Sequence, residues 1–262
     1  MLANAAHDAL LHSILEPARH YAMTEDQVNN RDVVKSWTHY GQVQLDRGYM
    51  PPVPEQLRWC FWDGVGPGDE VLGPLQGRRV LDIGSGPGHH GVHLARTHGA
   101  FVDAVELSPT QHQRAVGHFA NEPHVRFVNR DVVDHLRHEH GYDVAYAINT
   151  LACTDPRPVL AALRDGLLDG ARLVFCALHT GQDAEVPSAT VDSRLATIHL
   201  KDQKPIPVRM WVLAPELWTQ LLIDHDFTVA AISLLRAPDD DNPVVVQLVQ
   251  ARRNPRGVTA NR

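Results

Sequence analysis

Short apolar runs alternate with amphipathic segments through the middle of the chain. The runs have the apolar character of strands buried on both faces of a sheet. They are Arg79–Ile83, Phe101–Glu106, Val125–Val128, Asp143–Ile148 and Arg172–Ala177. The segments that follow the first four have apolar residues at helical spacing, and they are Gly88–His98, Ser108–Ala120, Val132–His138 and Arg157–Leu168. This alternation predicts an α/β fold with a parallel sheet and helices on both of its faces.

The first 75 residues have a different pattern, in which helical segments are joined by polar turns. Asn4–Leu15 has apolar residues at helical spacing, and Thr24–Gln27 resembles a helix capping box. Met50–Pro54 interrupts the chain with three prolines, and Glu55–Trp62 is predicted to form another helix. We therefore predict that residues 1–75 form a helical cap that contributes to the substrate site.

The pattern changes again after the fifth predicted strand. Residues 179–213 form an insert that is polar and is predicted to be irregular, because it contains several prolines. Pro215–Asp224 is amphipathic and helical. Phe227–Leu235 and Val244–Ala251 are two strands with a short link, which predicts an antiparallel hairpin. We expect residues 76–251 to form the core and residues 252–262 a frayed tail.

Composition excludes several classes of protein. The 262 residues include 31 acidic residues against 24 Lys and Arg, which argues against binding to nucleic acid or to an anionic membrane. The apolar runs are too short to span a bilayer, and the N-terminus does not have the pattern of a secretory signal. The three cysteines are far apart, so we expect no disulfide framework and a reducing, cytoplasmic location.

The most informative segment is Val80–Gly88, in which three glycines lie between a strand and a helix. Such a loop at the carboxyl end of the first strand is where open α/β sheets bind nucleotides. The third glycine of the dinucleotide fingerprint is replaced by His89, and Asp82 adds a negative charge that disfavours a pyrophosphate. S-adenosylmethionine suits this loop better, since it has an ammonium, a sulfonium and a ribose but no phosphate.

Acidic residues follow the next two strands. Glu106 can accept hydrogen bonds from both ribose hydroxyls, in NAD and S-adenosylmethionine sites alike. Asp131 can accept a hydrogen bond from the adenine amino group while Val132 packs on the ring. The alternatives are that Asp82 is a loop or capping residue, Glu106 an ordinary strand-end acid and Asp131 only a helix N-cap.

Together these motifs resemble the class I S-adenosylmethionine-dependent methyltransferases. The resemblance extends from about Val80 to Gln250, and it implies a Rossmann-like, doubly wound sheet of seven strands, mostly parallel, with a C-terminal antiparallel hairpin. It also implies S-adenosylmethionine as the cofactor. The residues expected to bind it are Asp82, Gly84, Ser85, Gly86, Gly88, Glu106, Leu107, Gln111, Asp131, Val132 and Asn149.

The sequence gives fewer signals for the residues that would contact the methyl acceptor. Relatives often close N-terminal helices over the methyl donor, which makes Tyr40 and Tyr49 candidates for an aromatic near the sulfonium. Many relatives with a histidine base have a His-His pair soon after the position of Asn149, which this chain lacks. His179, just after the fifth strand, is the candidate base, the alternative being that it only caps the strand or bonds a backbone carbonyl.

A cluster of histidines follows the glycine loop, and it raises the question of a metal. Two ligands on one helix need further ligands, and no recognised spacing supplies them, so we expect no metal. The cluster contains His89, His90, His93 and His98.

The sequence therefore predicts methyl transfer to an O, N or C nucleophile of a small molecule, such as a natural-product intermediate. We expect no nucleic-acid or membrane partner, and a homodimer is left open. Two alternatives remain. One is an NAD-linked oxidoreductase on the same fold, and the other is a protein that binds S-adenosylmethionine without methylating anything.

Overall fold

The computed structural model describes residues 30–182, 184–198 and 204–257, with side chains from residue 34 onward. The strands are β1 Arg79–Ile83, β2 Phe101–Glu106, β3 Val125–Asn129, β4 Tyr142–Ile148, β5 Leu167–Thr180, β6 Arg194–Ile198, β7 Ile206–Met210, β8 Phe227–Arg236 and β9 Val245–Arg253. The helices are α1 Asn30–Asp46, α2 His89–His98, α3 Pro109–Phe119, α4 Val132–Leu136, α5 Pro156–Gly166 and α6 Pro215–Asp224. Two short 3₁₀ helices are Asp69–Leu72 and Leu151–Cys153.

Seven strands form one sheet, in the order β3-β2-β1-β4-β5-β9-β8. The first five of these are mutually parallel, and β9 is antiparallel to both of its neighbours. The order reverses after β3, because the chain returns past β1 to β4. Ligands bind in α/β sheets at such a reversal, at the carboxyl ends of the strands. The predicted fold class and the C-terminal hairpin are confirmed.

The strand register brings the candidate site residues to one edge of the sheet. Ile83 at the end of β1 lies opposite Val105, and Glu106 at the end of β2 lies opposite Asn129. Ile148 at the end of β4 lies opposite Cys176. Residues that follow β1, β2 and β4 therefore share the carboxyl edge of the sheet.

A hydrophobic layer covers each face of the sheet. On one face, α5 and α6 bury apolar residues such as Leu160 and Trp218 against β4 and β5. On the other face, α2 packs beside the irregular segment that includes Trp59 and beside Leu72 of the first 3₁₀ helix. Both faces of β1, β2 and β4 are therefore shielded from water, as parallel strands inside a sheet require, whereas β3 is only partly buried.

The predicted helix over Glu55–Trp62 is wrong, because this segment has no regular secondary structure. Its apolar residues are nearly all buried against the sheet, whereas a helix would turn only one side inward. Two hydrogen bonds to the next loop hold it: the Leu57 amide donates to Asp69 Oδ1 at 2.6 Å, and the Trp59 indole donates to the Gly68 carbonyl at 3.0 Å.

The insert over residues 179–213 is more regular than predicted. Strand β5 continues to Thr180, and β6 and β7 pair as a separate antiparallel ladder. The predicted tail is also shorter, because β9 extends to Arg253 and the Arg256 amide donates to Asp169 Oδ2 at 3.0 Å. Pairing in β6–β7 satisfies backbone groups that an irregular insert would leave to water.

Helix α1 and the β6–β7 ladder join above the carboxyl edge of the sheet. The Ser36 hydroxyl donates to the Pro207 carbonyl at 2.6 Å. Tyr40 and Val43 of α1 pack in one cluster with Ile206, Val208 and Cys153. The predicted helix over Asn4–Leu15, the capping box at Thr24–Gln27 and residues 258–262 lie outside the described residues.

None of the described helices is long and apolar enough to cross a membrane.

Candidate active site

The glycine-rich loop after β1 is held in left-handed backbone conformations. Gly84, Gly86 and Gly88 have φ angles of 64°, 55° and 79°, which residues with a Cβ rarely adopt. A Cβ on Gly84 would lie 2.3 Å from Thr150 Cγ2, so the loop approaches the end of β4 too closely for any side chain. A Cβ on Gly86 would have Gln111 Nε2, at 3.9 Å, as its nearest neighbour. The loop is therefore closed on the Gly84 side and open beside Gly86.

Gly88 has a packing role instead. It is the N-cap of α2, and a Cβ there would lie 2.4 Å from the Phe127 ring and 3.2 Å from Ala115 Cβ. The start of α2 consequently lies directly against β3 and α3. This close packing fixes where the loop ends and the helix begins.

Asp82 is a buried carboxylate beneath the loop. No described Lys, Arg or His forms an ion pair with it. Burial raises its pKa to about 7, while the nearby Tyr146 hydroxyl lowers it and the negative charge of Glu106 raises it further. A cation entering beside Asp82 would reverse that shift, because an opposite charge favours the ionised form.

Glu106 supports the loop from the end of β2. Its Oε2 accepts from the Gly86 amide at 2.8 Å, and its Oε1 accepts from the Ser108 amide at 2.6 Å. Burial raises its pKa, although the hydrogen bonds from the Ser108, Gly86 and Leu107 amides lower it. A carboxylate has about four acceptor sites, so the three amides leave Glu106 some capacity for another donor.

A cavity of about 320 Å³ lies beside the loop. Its floor consists of the end of β1, the glycine loop and the end of β4, and its roof consists of α1 and the segment that follows α1. The predicted site residues on its wall are Tyr40, Tyr49, Asp82, Gly84, Ser85, Gly86, Gln111 and Asn149. Asn149 has a φ of 58°, which turns the chain sharply out of β4.

The roof is largely aromatic. Trp37 and Tyr40 of α1 contact edge to face, with ring centroids 5.5 Å apart. Burial raises the pKa of Tyr40 to about 12, against a lowering by Arg114. Tyr40 is therefore a neutral phenol at physiological pH and presents a π face and a hydroxyl, not a phenolate base.

Other predicted cofactor residues do not line the cavity, namely Gly88, Glu106, Leu107, Asp131 and Val132. Asp131 caps α4, where its Oδ1 accepts from the Val133 amide at 2.8 Å and from the Asp134 amide at 3.2 Å. Its contact with an adenine remains a prediction, as does that of Val132. Leu107 is exposed at the same edge of the sheet.

His179 is not among the residues that line the cavity either. Its Nδ1 lies 2.8 Å from the Thr180 hydroxyl at the end of β5. Burial lowers its pKa, and the positive charge of Arg236 lowers it further. The sequence analysis placed His179 just after the fifth strand, whereas β5 continues past it to Thr180. Its role as the base remains a prediction.

Several wall residues are not among the predicted site residues, for example Trp37, Arg58 and Arg114. The sequence did contain a signal for Arg114 as a site residue, because it lies one helical turn after the predicted site residue Gln111 and residues three apart share a helix face. Arg58 had none, since it was assigned to a helix that does not form.

The histidine cluster divides between two places. His89 and His90 stack with ring centroids 3.9 Å apart and line the cavity. His93 and His98 lie elsewhere, where the Nε2 atoms approach Asp69 Oδ2 at 2.7 Å and 2.8 Å. These are hydrogen-bond distances. The three groups also lie close enough together to hold a metal ion, which the sequence analysis did not foresee for Asp69.

We expect Asp69→Asn to destabilise the protein by about 1–2 kcal/mol at pH 7. Burial works to raise the pKa of Asp69, but hydrogen bonds from His93, His98 and the Leu57 amide lower it to about 2. A depressed pKa stabilises the fold above about pH 4, and that stability is lost as the pH falls toward about 2. Urea unfolding at pH 7, 4 and 3 measures the difference, which should shrink at pH 3. Glu70→Gln is the neighbouring control, and an equal loss in that variant would contradict the assignment.

Comparison with known proteins addresses the glycine loop and the strands around it. A family model described as a methyltransferase domain matches residues 80–170. The match contains Asp82, the glycine loop and Glu106. Residues 80–170 form a methyltransferase domain. For this segment the resemblance predicted from the motifs is confirmed.

Sequence relatives match over a similar stretch. The methyltransferase domain is part of a region 32% identical over 133 residues to O-methyltransferase cnsE of Penicillium expansum, covering 48% of this chain and 47% of that protein. A second match, 33% identical over 130 residues, is to the tRNA U34 carboxymethyltransferase of Chromohalobacter salexigens and covers 47% of this chain and 38% of that protein. The matches thus span about half or less of these relatives' length.

Solved structures extend the likeness beyond the methyltransferase domain. An S-adenosylmethionine dependent methyltransferase from Mesorhizobium loti superimposes with a TM-score of 0.51 at 20% identity. The superposition covers 70% of this chain and 94% of that one. At this identity the likeness establishes the Rossmann-like fold.

Proposed function

We propose that the protein transfers the methyl group of S-adenosylmethionine to an O, N or C nucleophile of a small molecule. The observation that carries the proposal is the methyltransferase domain with a buried carboxylate, Asp82, beneath its glycine loop. The alternative of an NAD-linked oxidoreductase is disfavoured, because a pyrophosphate would lie beside that carboxylate. A protein that binds the cofactor without methylating anything is the remaining alternative.

The cavity residues fit S-adenosylmethionine. Asp82 has no basic partner among the described residues, so it can balance the charge of an ammonium group. The Ser85 hydroxyl is buried without a hydrogen-bond partner and can receive one from a ligand. The space beside Gly86 admits a ligand against the backbone. Glu106 is next to this space, since it accepts from the Gly86 amide, and it retains acceptor capacity for the ribose.

We assign the rate enhancement mainly to approximation, which means that the protein holds the two reactants close together and in line. When bound, S-adenosylmethionine supplies an electrophilic methyl group and leaves as S-adenosylhomocysteine. Asp82 and the glycine loop hold one reactant, and the aromatic roof around Trp37 and Tyr40 excludes water and holds the other. Holding two reactants in line is worth up to about 7–11 kcal/mol. Tyr40 is a neutral phenol, so it orients and shields the acceptor and does not remove its proton.

The acceptor is proposed to be a small metabolite, such as an intermediate of natural-product biosynthesis. The O-methyltransferase relative supports an oxygen nucleophile, whereas the tRNA-modifying relative supports an RNA acceptor. The net charge of −7 favours the metabolite. We also propose that residues 1–75 and the insert 179–213 form the acceptor side and that the protein acts in the cytoplasm. A homodimer is compatible with this function.

A methyl-transfer screen tests the function directly. The protein is incubated with S-adenosylmethionine carrying a labelled methyl group and a metabolite extract, and products heavier by one labelled methyl are sought by mass spectrometry. Total tRNA is a parallel substrate. Competition between NAD and S-adenosylmethionine for binding separates the oxidoreductase alternative. Binding of S-adenosylmethionine without any labelled product across the extract and the tRNA would favour the non-methylating alternative.

Methyl transfer is expected to survive chelation. The described residues that line the cavity do not contain the Asp69, His93 and His98 group, so an ion held there would not touch the reactants. Turnover should remain near its initial value after incubation with EDTA and gel filtration. Loss of turnover that a divalent cation restores would contradict this expectation.

A further inference from the structure

Arg114 is a buried cation on the cavity wall. It lies on α3 one turn after Gln111, and only 4% of its surface is exposed. Its Nη1 donates to Gln111 Oε1, and its Nη2 donates to the Tyr49 carbonyl at 2.9 Å. Both acceptors are neutral, so these bonds orient the guanidinium without balancing its charge.

No carboxylate among the described residues forms an ion pair with Arg114. The ionisable groups that face it are the hydroxyls of Tyr40 and Tyr49, which are neutral phenols at physiological pH. Arg58, the other arginine on the wall, has its own partner in Asp63. Asp82 is the one carboxylate among the described wall residues, and it is not paired with Arg114. The Nε atom of Arg114 is buried and has no hydrogen-bond partner.

A buried charge without a counter-ion is costly, and removing that cost requires an anion. We propose that Arg114 is the binding site for a carboxylate that enters the cavity with a ligand. The planar guanidinium offers parallel N–H groups that match the two oxygens of a carboxylate, and its Nε–H is available for this purpose. The site therefore has opposite charges at separate points, with Asp82 for a cation and Arg114 for an anion.

The carboxylate has two sources, and both rest on the proposed function. One is the methionine carboxylate of S-adenosylmethionine, and the other is a carboxylate on the acceptor. Calorimetry with S-adenosylmethionine and with its decarboxylated analogue separates them. The two compounds share the ammonium, the sulfonium and the adenosine, so their affinity ratio isolates the carboxylate.

If the cofactor supplies the carboxylate, wild-type protein should prefer S-adenosylmethionine by about tenfold to a hundredfold. Arg114→Gln should reduce that ratio to about one, and Arg114→Lys should keep part of it. Arg96→Gln, on an exposed part of α2 outside the cavity, should leave the ratio unchanged. Melting temperatures of the variants verify that each is folded.

If the acceptor supplies the carboxylate, the ratio should stay unchanged in Arg114→Gln. Benzoate should then bind to protein loaded with S-adenosylhomocysteine, and benzyl alcohol should not, as measured by ligand-observed NMR. Arg114→Gln should lose benzoate binding, whereas Arg96→Gln should retain it.

The proposal is overturned if Arg114→Gln changes neither the ratio nor benzoate binding, or if Arg114→Lys behaves like a neutral variant in both. Failure of the proposed function looks different. Wild-type protein would then not bind S-adenosylmethionine at all, and benzoate binding to the ligand-free protein, compared with Arg114→Gln, would still decide the role of Arg114.

Discussion

Replacing Glu106 by alanine is expected to weaken the binding of S-adenosylmethionine by about 10²–10⁴-fold. The predicted bonds from both ribose hydroxyls to this carboxylate contribute about 1.5–3 kcal/mol each when the acceptor is charged. The same change removes the acceptor of the Gly86 amide, which helps to shape the loop. Calorimetry at one pH measures the loss.

Two further variants show which part of the loss belongs to the ribose. Glu122→Ala removes a half-buried acid that pairs with Arg96, far from the loop in sequence, and should bind like wild type. Titration of Glu106→Ala with methionine, which lacks a ribose, should show little change relative to wild type. An S-adenosylmethionine affinity equal to that of wild type in Glu106→Ala would refute the assignment of Glu106.

Asp82→Asn is expected to remove the pH dependence of cofactor binding as well as most of the affinity. The carboxylate has a pKa of about 7 in the ligand-free protein, because burial raises it. Binding of an ammonium requires the ionised form, so wild-type affinity should rise by about tenfold from pH 6 to pH 8. The asparagine variant should bind weakly and almost equally at both values.

Proton release provides a direct measurement of this coupling. Near pH 7, wild-type protein should release a fraction of a proton on binding, seen as a binding heat that differs between phosphate and Tris buffers. Asp82→Asn should release less. A buffer-independent heat for wild type would contradict the assignment.

The stability of the ligand-free protein should show the opposite trend with pH. A raised carboxyl pKa favours the fold below about pH 4, and this contribution to the free energy of unfolding is lost as the pH rises through about 7.

Local patterns predicted the sheet and its helices well. The ends of β1, β2 and α6 match the sequence analysis, because buried strands and amphipathic helices carry their own periodicity. The glycine loop was equally predictable, since positive φ angles favour glycine over other residue types. These features depend on interactions between neighbours along the chain.

The roof of the cavity was less predictable, because tertiary contacts decide it. Residues 55–62 have a helical pattern, yet Leu57 and Trp59 are buried in the core. The Leu57 amide donates to Asp69, and the Trp59 indole donates to the carbonyl just before Asp69. The position of His179 depends on how far β5 extends, which its pairing with β9 determines. Because β5 and β9 are far apart in the sequence, no local sequence pattern can reveal their pairing.

The strand order also has a consequence for the order of folding. Strand β9 lies between β5 and β8, so β8 is synthesised before the strand that joins it to the sheet. During translation the five parallel strands can assemble first, while β8 and the free edge of β5 stay unpaired until residues 245–253 are synthesised. An unpaired edge of this kind is prone to intermolecular pairing. Aggregation during expression should therefore be governed by the time between the synthesis of β8 and of β9, and slowing translation within that interval should increase it.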